Sequence, residues 1–367
     1  MKTVMVVMII PPAIAASGQT FRRFFRLFRL WQILTLLLLL ASIACGGGSG
    51  NGGNSGGGGA GGGGGGGGKK LYAPYIDMSI TQDAQLETIQ QQSGIHGVTL
   101  AFLVGTGSGC SLGWGGLGST LPTDTLSDGT TIQSHVQNLQ AAGVEVLISM
   151  GGANGADVTP SCTSVSGLQS AYQEVINRYH VTALDFDIEG ALIADQSAID
   201  MRDQALVALK AANPGLVISF TIPVEPTGLD ANGVNLLTSA HSAGLSLDVV
   251  NVMAMDFGAC CDNGGQMGLD ATDAATAAHS QVQQAGLSSS IGVTAMIGVN
   301  DTSPEVFQLS DANTLVSFAN SNSYISRLAM WSLARDNGSC AGQTSASYAC
   351  SGVSQTNYEF SQNFEQF

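Results

Sequence analysis

Between Leu71 and Phe367, eight short β-branched runs alternate with segments of three-to-four-residue apolar periodicity. The runs fall near Leu71–Asp77, Val98–Val104, Val144–Met150, Ala183–Glu189, Val217–Ile222, Val249–Met255, Ile291–Met296 and Ile325–Trp331. Helices are expected over Gln82–Gln92, Thr131–Ala142, Gly167–Tyr179, Gln196–Ala212, Leu236–Ala243, Thr272–Ala285 and Ser310–Ser321. Runs that are apolar almost throughout suit strands covered on both faces, hence a parallel sheet. Gly143 and Gly244 fit helix ends just ahead of the next strand. Eight strand–helix units predict an α/β fold, a single (β/α)8 barrel spanning residues 71–367. An open doubly wound sheet is the competing arrangement, but no G-x-G-x-x-G turn follows the first strand.

Charge is distributed unevenly. The chain holds 12 Lys and Arg against 27 Asp and Glu, a formal net charge of −15. Seven of the twelve bases lie in residues 1–70, which contain no acid. The barrel segment therefore carries five bases and all 27 acids, a balance of −22. A surface that negative repels phosphate backbones and anionic lipid, so no nucleic-acid partner is expected.

Residues 1–45 read as an export signal. Four arginines in Phe21–Arg29 precede the apolar run Leu30–Ala44, which is shorter than the roughly 20 residues a membrane span needs. Ser42-Ile-Ala-Cys45 resembles the cleavage site of a bacterial lipoprotein, with Cys45 as the lipidated residue; Ser42-Ile-Ala44 equally suits an ordinary signal peptidase. Residues 46–70 form a Gly-rich flexible linker, with 18 glycines between Gly46 and Gly68. A 23-residue tether of that kind reaches about 25–30 Å. The expected location is extracytoplasmic, either lipid-anchored through Cys45 or secreted, and the expected state is a monomer.

Cysteine usage agrees with export. Beyond Cys45, six remain: Cys110, Cys162, Cys260, Cys261, Cys340 and Cys350. An even number in an oxidising compartment suggests disulfides; Cys340/Cys350 is a candidate local pair and Cys110/Cys162 a candidate loop pair, among about fifteen connectivities between which the sequence does not choose. Adjacent Cys260 and Cys261 could pair with each other only in a strained turn. No C-x-x-C or H-E-x-x-H motif occurs, and the five histidines (His96, His135, His180, His241, His279) suit surface or packing positions. No metal or other cofactor is expected.

The fourth run carries the chemistry. In Leu184-Asp185-Phe-Asp187-Ile-Glu189, alternation puts three carboxylates on one face and Leu184, Phe186 and Ile188 on the other. With the apolar trio on the helix side, the carboxylates face the barrel interior. Unpaired buried charges cost several kcal/mol each, so a shared proton and raised pKa values are expected within this row.

Asp185-x-Asp187-x-Glu189 resembles the D-x-x-D-x-D-x-E strand of family 18 glycoside hydrolases, which include chitinases, some endo-N-acetylglucosaminidases and inactive chitin-binding lectins. Other motifs agree in order. Tyr72-Ala-Pro-Tyr-Ile-Asp77 resembles the first strand of a bacterial chitinase subgroup, and Ser149-Met-Gly-Gly152 the family's S-x-G-G. Met253-Ala-Met-Asp256 stands where the family has M-x-Y-D; Met296–Asn300 and Met330-Trp331-Ser332 resemble the last two strand ends. Two positions depart: Thr182 replaces the outermost Asp, at what is expected to be the deepest point of the barrel, and Met255 replaces the Tyr.

The resemblance implies an endo-acting chitinase that cleaves β-1,4-linked N-acetylglucosamine polymers with retention, the substrate's acetamide acting as nucleophile. Glu189 would be general acid and base, Asp187 would orient the acetamide, Asp185 would share its proton, and Asp256 would bind the reacting sugar. Trp331 would floor the cleft, with Tyr75, Met255, Met296 and Asn300 also at the substrate. Tyr75 or Asn300 could replace the hydrogen bond lost at Met255, and Tyr75, Trp114 and Phe257 could stack on sugars. Met253, Met255 and Met296 suit the cleft wall and core. The short interval between the seventh and eighth strands suggests an open groove. A non-hydrolytic chitin- or carbohydrate-binding protein and an endo-N-acetylglucosaminidase acting on N-glycans are the alternatives, and peptidoglycan stays among the substrates the sequence allows.

Overall fold

Pro74 has no backbone N–H to give to a ladder, and the first strand of the sheet breaks there. The computed structural model describes residues 69–367 apart from 81–84, 116–118, 122–123, 127, 154–156 and 259–260. The export signal, Cys45, nearly all of the linker and Cys260 thus lie outside the described residues. In it, β1 consists of Leu71–Tyr72 and Tyr75–Asp77. The first piece pairs in parallel with β8 (Ile325–Trp331), the second in parallel with β2 (Gly97–Gly105), so this one broken stave closes the sheet on itself. Between them run β3 (Glu145–Gly151), β4 (Ala183–Asp187), β5 (Val217–Pro223), β6 (Val249–Ala254) and β7 (Ser290–Met296), every neighbouring pair parallel. This is the (β/α)8 barrel anticipated from the alternation; the one expected run Leu71–Asp77 is interrupted.

Helices α1 (Gln85–Ser93), α2 (Ile132–Ala141), α3 (Val165–Tyr179), α4 (Gln196–Ala212), α5 (Ala231–Ala243), α6 (Met267–Gln284), α7 (Leu309–Ser321) and α8 (Glu359–Phe364) each follow the strand of the same number. Side-chain caps set several starts. Asp230 accepts from the Gly233 N–H, which begins α5 more than a turn before Leu236, the expected start. Asp195 does the same for α4 through Ala198 N–H. Gly244 ends α5 with φ +79°, as its position suggested. The apolar face of β4 meets this layer: Phe186 packs edge-on against Tyr172 of α3, ring centroids 5.0 Å apart.

Both candidate disulfides are formed. Cys110–Cys162 joins the segments following β2 and β3, and Cys340–Cys350 closes a loop after β8. Each therefore braces loops that leave C-terminal strand ends, where barrel chemistry resides. Among the described residues, no helix is long and apolar enough to cross a membrane, and no group of three or more His, Cys, Asp or Glu could hold a metal ion.

Candidate active site

The pleat of β4 divides its side chains as the alternation required. Leu184, Phe186 and Ile188 are buried, and Asp185 is wholly buried on the opposite, inward face. The strand stops at Asp187, so Glu189 stands just past its end, half-buried. Thr182 lies before the other end and is exposed. The expectation that it sits deepest in the barrel was wrong: two residues of strand separate it from the interior row, and it faces solvent.

Asp185 is the anchor of the interior. Its Oδ2 accepts from Tyr75 Oη at 2.9 Å and Ser149 Oγ at 2.7 Å. Its Oδ1 accepts from Ser219 Oγ at 2.5 Å and Thr221 Oγ1 at 2.8 Å. Arg327 Nη1 approaches Oδ1 to 3.8 Å from β8. Four different staves thus supply its four hydroxyl donors or its guanidinium partner: β1, β3, β5 and β8. These donors occupy both oxygens of Asp185.

Asp187 pairs with Glu189. Burial, then the charges of Glu189 and Asp185, push the Asp187 carboxyl well above the usual aspartate range. Burial also raises Glu189 and the Asp256 charge adds to it, while a hydrogen bond from Asp187 acts in the lowering direction. The same bond raises Asp187, so the two carboxyls titrate together as one hydrogen-bonded pair. Oδ1 of Asp187 is buried without a partner.

The S-x-G-G segment makes this arrangement sterically feasible. A Cβ on Gly151, whose φ is +103°, would lie 2.1 Å from the Asp187 carbonyl oxygen. One on Gly152 would lie 2.7 Å from the Phe102 ring. Only glycine lets β3 approach β4 and Phe102 this closely.

Asp256 comes from the end of β6, in the left-handed region at φ +53°. The segment after β7 holds it there. Thr302 N–H donates to Asp256 Oδ1 at 2.7 Å, and the Asp256 N–H donates to Asn300 Oδ1 at 3.3 Å. Phe257 and Gly258 N–H both donate to the buried Glu305 carboxylate. Burial raises the Asp256 carboxyl, and the Asp301 charge raises it further against the Thr302 bond.

Asp187, Glu189 and Asp256 line a cleft of about 620 Å³ together with Asp77, Ser79, Phe102, Met253, Met255, Met296, Asp301 and Trp331. The Trp331 ring is half-buried and stacks on Phe102 at 5.7 Å, with the edge of Tyr75 at 6.1 Å. Tyr75 lines the cleft, but its hydroxyl is committed to Asp185, Thr221 and Asn251, so it is not free to replace the Met255 hydrogen bond. Asn300 is buried, and its amide donates to the Met296 and Gly298 carbonyls; it positions Asp256 rather than facing a substrate. Trp114 and Phe257, considered for sugar stacking, are core residues, the Trp114 indole donating to Tyr179 Oη.

Sequence reasoning missed Arg327, Phe102, Asp77, Asp301 and Glu305. Two signals were present: Arg327 is the one charge in the otherwise uncharged β8, and Asp77, like Glu189, stands at a C-terminal strand end.

A (β/α)8 barrel whose strand ends carry a coupled carboxylic pair over an aromatic floor is the architecture of glycoside hydrolases. The catalytic domain called active domain 2 of a chitinase from Pyrococcus furiosus is 30% identical, with a TM-score of 0.69 over 81% of this chain and 94% of that one. The chain belongs to family 18 of the glycoside hydrolases. A probable bifunctional chitinase/lysozyme of Escherichia coli is 33% identical over 320 residues, 82% of this chain and 34% of that protein. Endochitinase 11 of Metarhizium anisopliae is 33% identical over 285 residues, 73% of this chain and 53% of that protein. The chain thus spans about a third to a half of the length of these curated relatives. No family model matches the sequence.

Proposed function

We propose that the protein is an endo-acting chitinase that hydrolyses β-1,4-linked N-acetylglucosamine chains with retention of configuration. The observation that carries this reading is the Asp187–Glu189 pair at the barrel mouth, sharing one proton above Asp185, whose oxygens accept from four hydroxyls. Relatives described as chitinases support the substrate class.

Glu189 delivers the shared proton to the glycosidic oxygen as the bond to the anomeric carbon breaks. The nucleophile is the acetamido oxygen of the sugar itself, so no second carboxylate is needed. Asp187, left as a carboxylate, lies beside the positive oxazolinium ring; its unpartnered Oδ1 is available to the acetamide N–H. Glu189 then takes a proton from water as the water oxygen bonds to the anomeric carbon from the face the leaving group left, and the carbon–oxygen bond to the acetamide breaks. Asp256 binds the reacting sugar from the β6 side, and Trp331 forms the apolar floor. The short segment joining β7 to α7, residues 297–308, leaves the groove open along the chain direction, which supports internal cutting.

The test is hydrolysis of colloidal chitin and chitotetraose, beside Glu189→Gln, with product anomers read by NMR. Release of β-anomers by the wild type alone is expected. Chitin binding without turnover, insensitive to Glu189→Gln, would replace the enzyme by a lectin, and neither binding nor turnover would redirect attention to N-glycans. We further propose export and anchoring of this domain through lipidated Cys45 and its glycine tether. Intact mass of the mature N-terminus checks it, since an unmodified residue there would leave plain secretion.

A further inference from the structure

Beneath the carboxylate pair, the barrel interior holds a charge that the reaction sequence above does not use. Arg327 projects inward from β8 and is 4% exposed. Its Nη1 donates to Ser219 Oγ at 2.7 Å and lies 3.8 Å from Asp185 Oδ1. Space for it is provided across the sheet. A Cβ on Gly292 of β7 would sit 3.2 Å from Arg327 Cβ and 2.6 Å from Asn251 Oδ1.

The hydrogen-bond directions follow from which groups can only donate. A guanidinium has no acceptor, so Ser219 Oγ accepts from Arg327, and its own proton goes to Asp185. The Tyr75, Ser149 and Thr221 hydroxyls likewise donate to Asp185, with the Asn251 amide behind them donating to Thr294 Oγ1 at 2.7 Å and Thr221 Oγ1 at 3.0 Å. All four hydroxyls therefore point the same way. We propose that Arg327, acting through Ser219, is a positioning residue that keeps Asp185 a pure acceptor and so confines the single proton of the acidic row to Asp187 and Glu189. This rests on the proposed glycosidase chemistry for its kinetic consequence, but not for its protonation consequence.

The charged and titratable groups facing Arg327 are Asp185 from β4 and Tyr75 from β1, and Asp185 in turn acts on Asp187. Removing a positive charge from such a cluster raises each of its macroscopic pKa values. In Arg327→Met, both limbs of the pH profile of kcat/KM should move to higher pH by on the order of one unit. At the wild-type optimum kcat should fall while KM changes less, because Asp185 now competes for the proton. Arg327→Lys keeps the charge and should restore most of the profile.

Carboxyl ¹³C titration of Asp187 and Glu189 in the same three proteins needs no substrate. If the wild type cleaves no chito-oligosaccharide, the functional reading fails, yet an upward titration shift in Arg327→Met still supports this inference. Folded Arg327→Met with unchanged titration and profile would overturn it and leave Arg327 as a space-filling residue. Should Arg327→Met not fold, Ser219→Ala decides instead: it removes the relay while keeping the charge. A titration or profile altered in the same direction supports the relay, and identity with wild type overturns it.

Discussion

Tyr75 Oη donates to Asp185 Oδ2 at 2.9 Å across 110 residues of sequence. The tyrosine follows the Pro74 break in β1, so the residue that resumes the closing stave also fixes the innermost carboxylate of β4. Barrel closure and the acidic row are thereby one structural feature. Tyr75→Phe removes a single donor from a fully buried carboxylate. We expect a loss of about 1–3 kcal/mol in unfolding free energy and a reduced kcat, read by denaturant melts and chitotetraose kinetics. Unchanged stability would mean that the remaining three hydroxyls suffice.

Glu189→Gln should lower kcat by about 10²–10⁴-fold with little change in chitotetraose binding. In the wild type, activity should be lost as pH rises through the apparent pKa of the Asp187–Glu189 pair. Burial raises both members, so that alkaline limb should lie above the ordinary glutamate value of about 4.3. A limb below it would contradict the coupled pair.

Trp331→Ala should raise KM for chitotetraose by about 10–100-fold, the equivalent of about 1.5–3 kcal/mol of stacking and burial. It also strips Phe102 of its stacking partner, so Phe102→Ala should weaken binding in the same direction. Isothermal titration on a Glu189→Gln background separates binding from turnover.

The cleft should discriminate by charge. Asp77, Asp187, Glu189, Asp256 and Asp301 line it, and none of the five bases from Leu71 onward does. Arg202, Arg327 and Arg335 are buried, and Arg178 and Lys210 are paired with Asp124 and Asp248. Muropeptide glycans, which bear carboxylates, should be cut at least about 10-fold more slowly than N-acetylglucosamine oligomers of equal length, with the gap narrowing as salt rises. Equal rates at low salt would show that the acids do not govern selection.

Asp203 on α4 offers a stability test remote from the cleft. Burial pushes its carboxyl up to about 6, and Ser239 Oγ donates to it at 2.8 Å. A raised folded pKa means the native state binds the proton more tightly, so stability falls as pH rises from about 4 through 6. Asp203→Asn should flatten that slope and make the protein more stable near pH 7, by no more than about 3 kcal/mol. Thermal melts across pH 4–8 measure both.

The alternation of apolar runs and helical segments determined the barrel, because strands buried on both faces and crossover helices leave few other ways to hide that surface. The same local rule placed Asp185, Asp187 and Glu189 on one face, since pleating depends only on successive residues. Cys110/Cys162 and Cys340/Cys350 stood among the candidate pairings, and the structure chose them. What each carboxylate meets was not. Asp185 takes its partners from β1, β3, β5 and β8, Asn300 turns away from the cleft to hold Asp256, and Thr182 ends outside the barrel. Those outcomes depend on the curl of the closed sheet, which sets which strands converge at one depth. No window along a single strand contains that information, so the set of donors that converges on Asp185 was decided only by the tertiary structure.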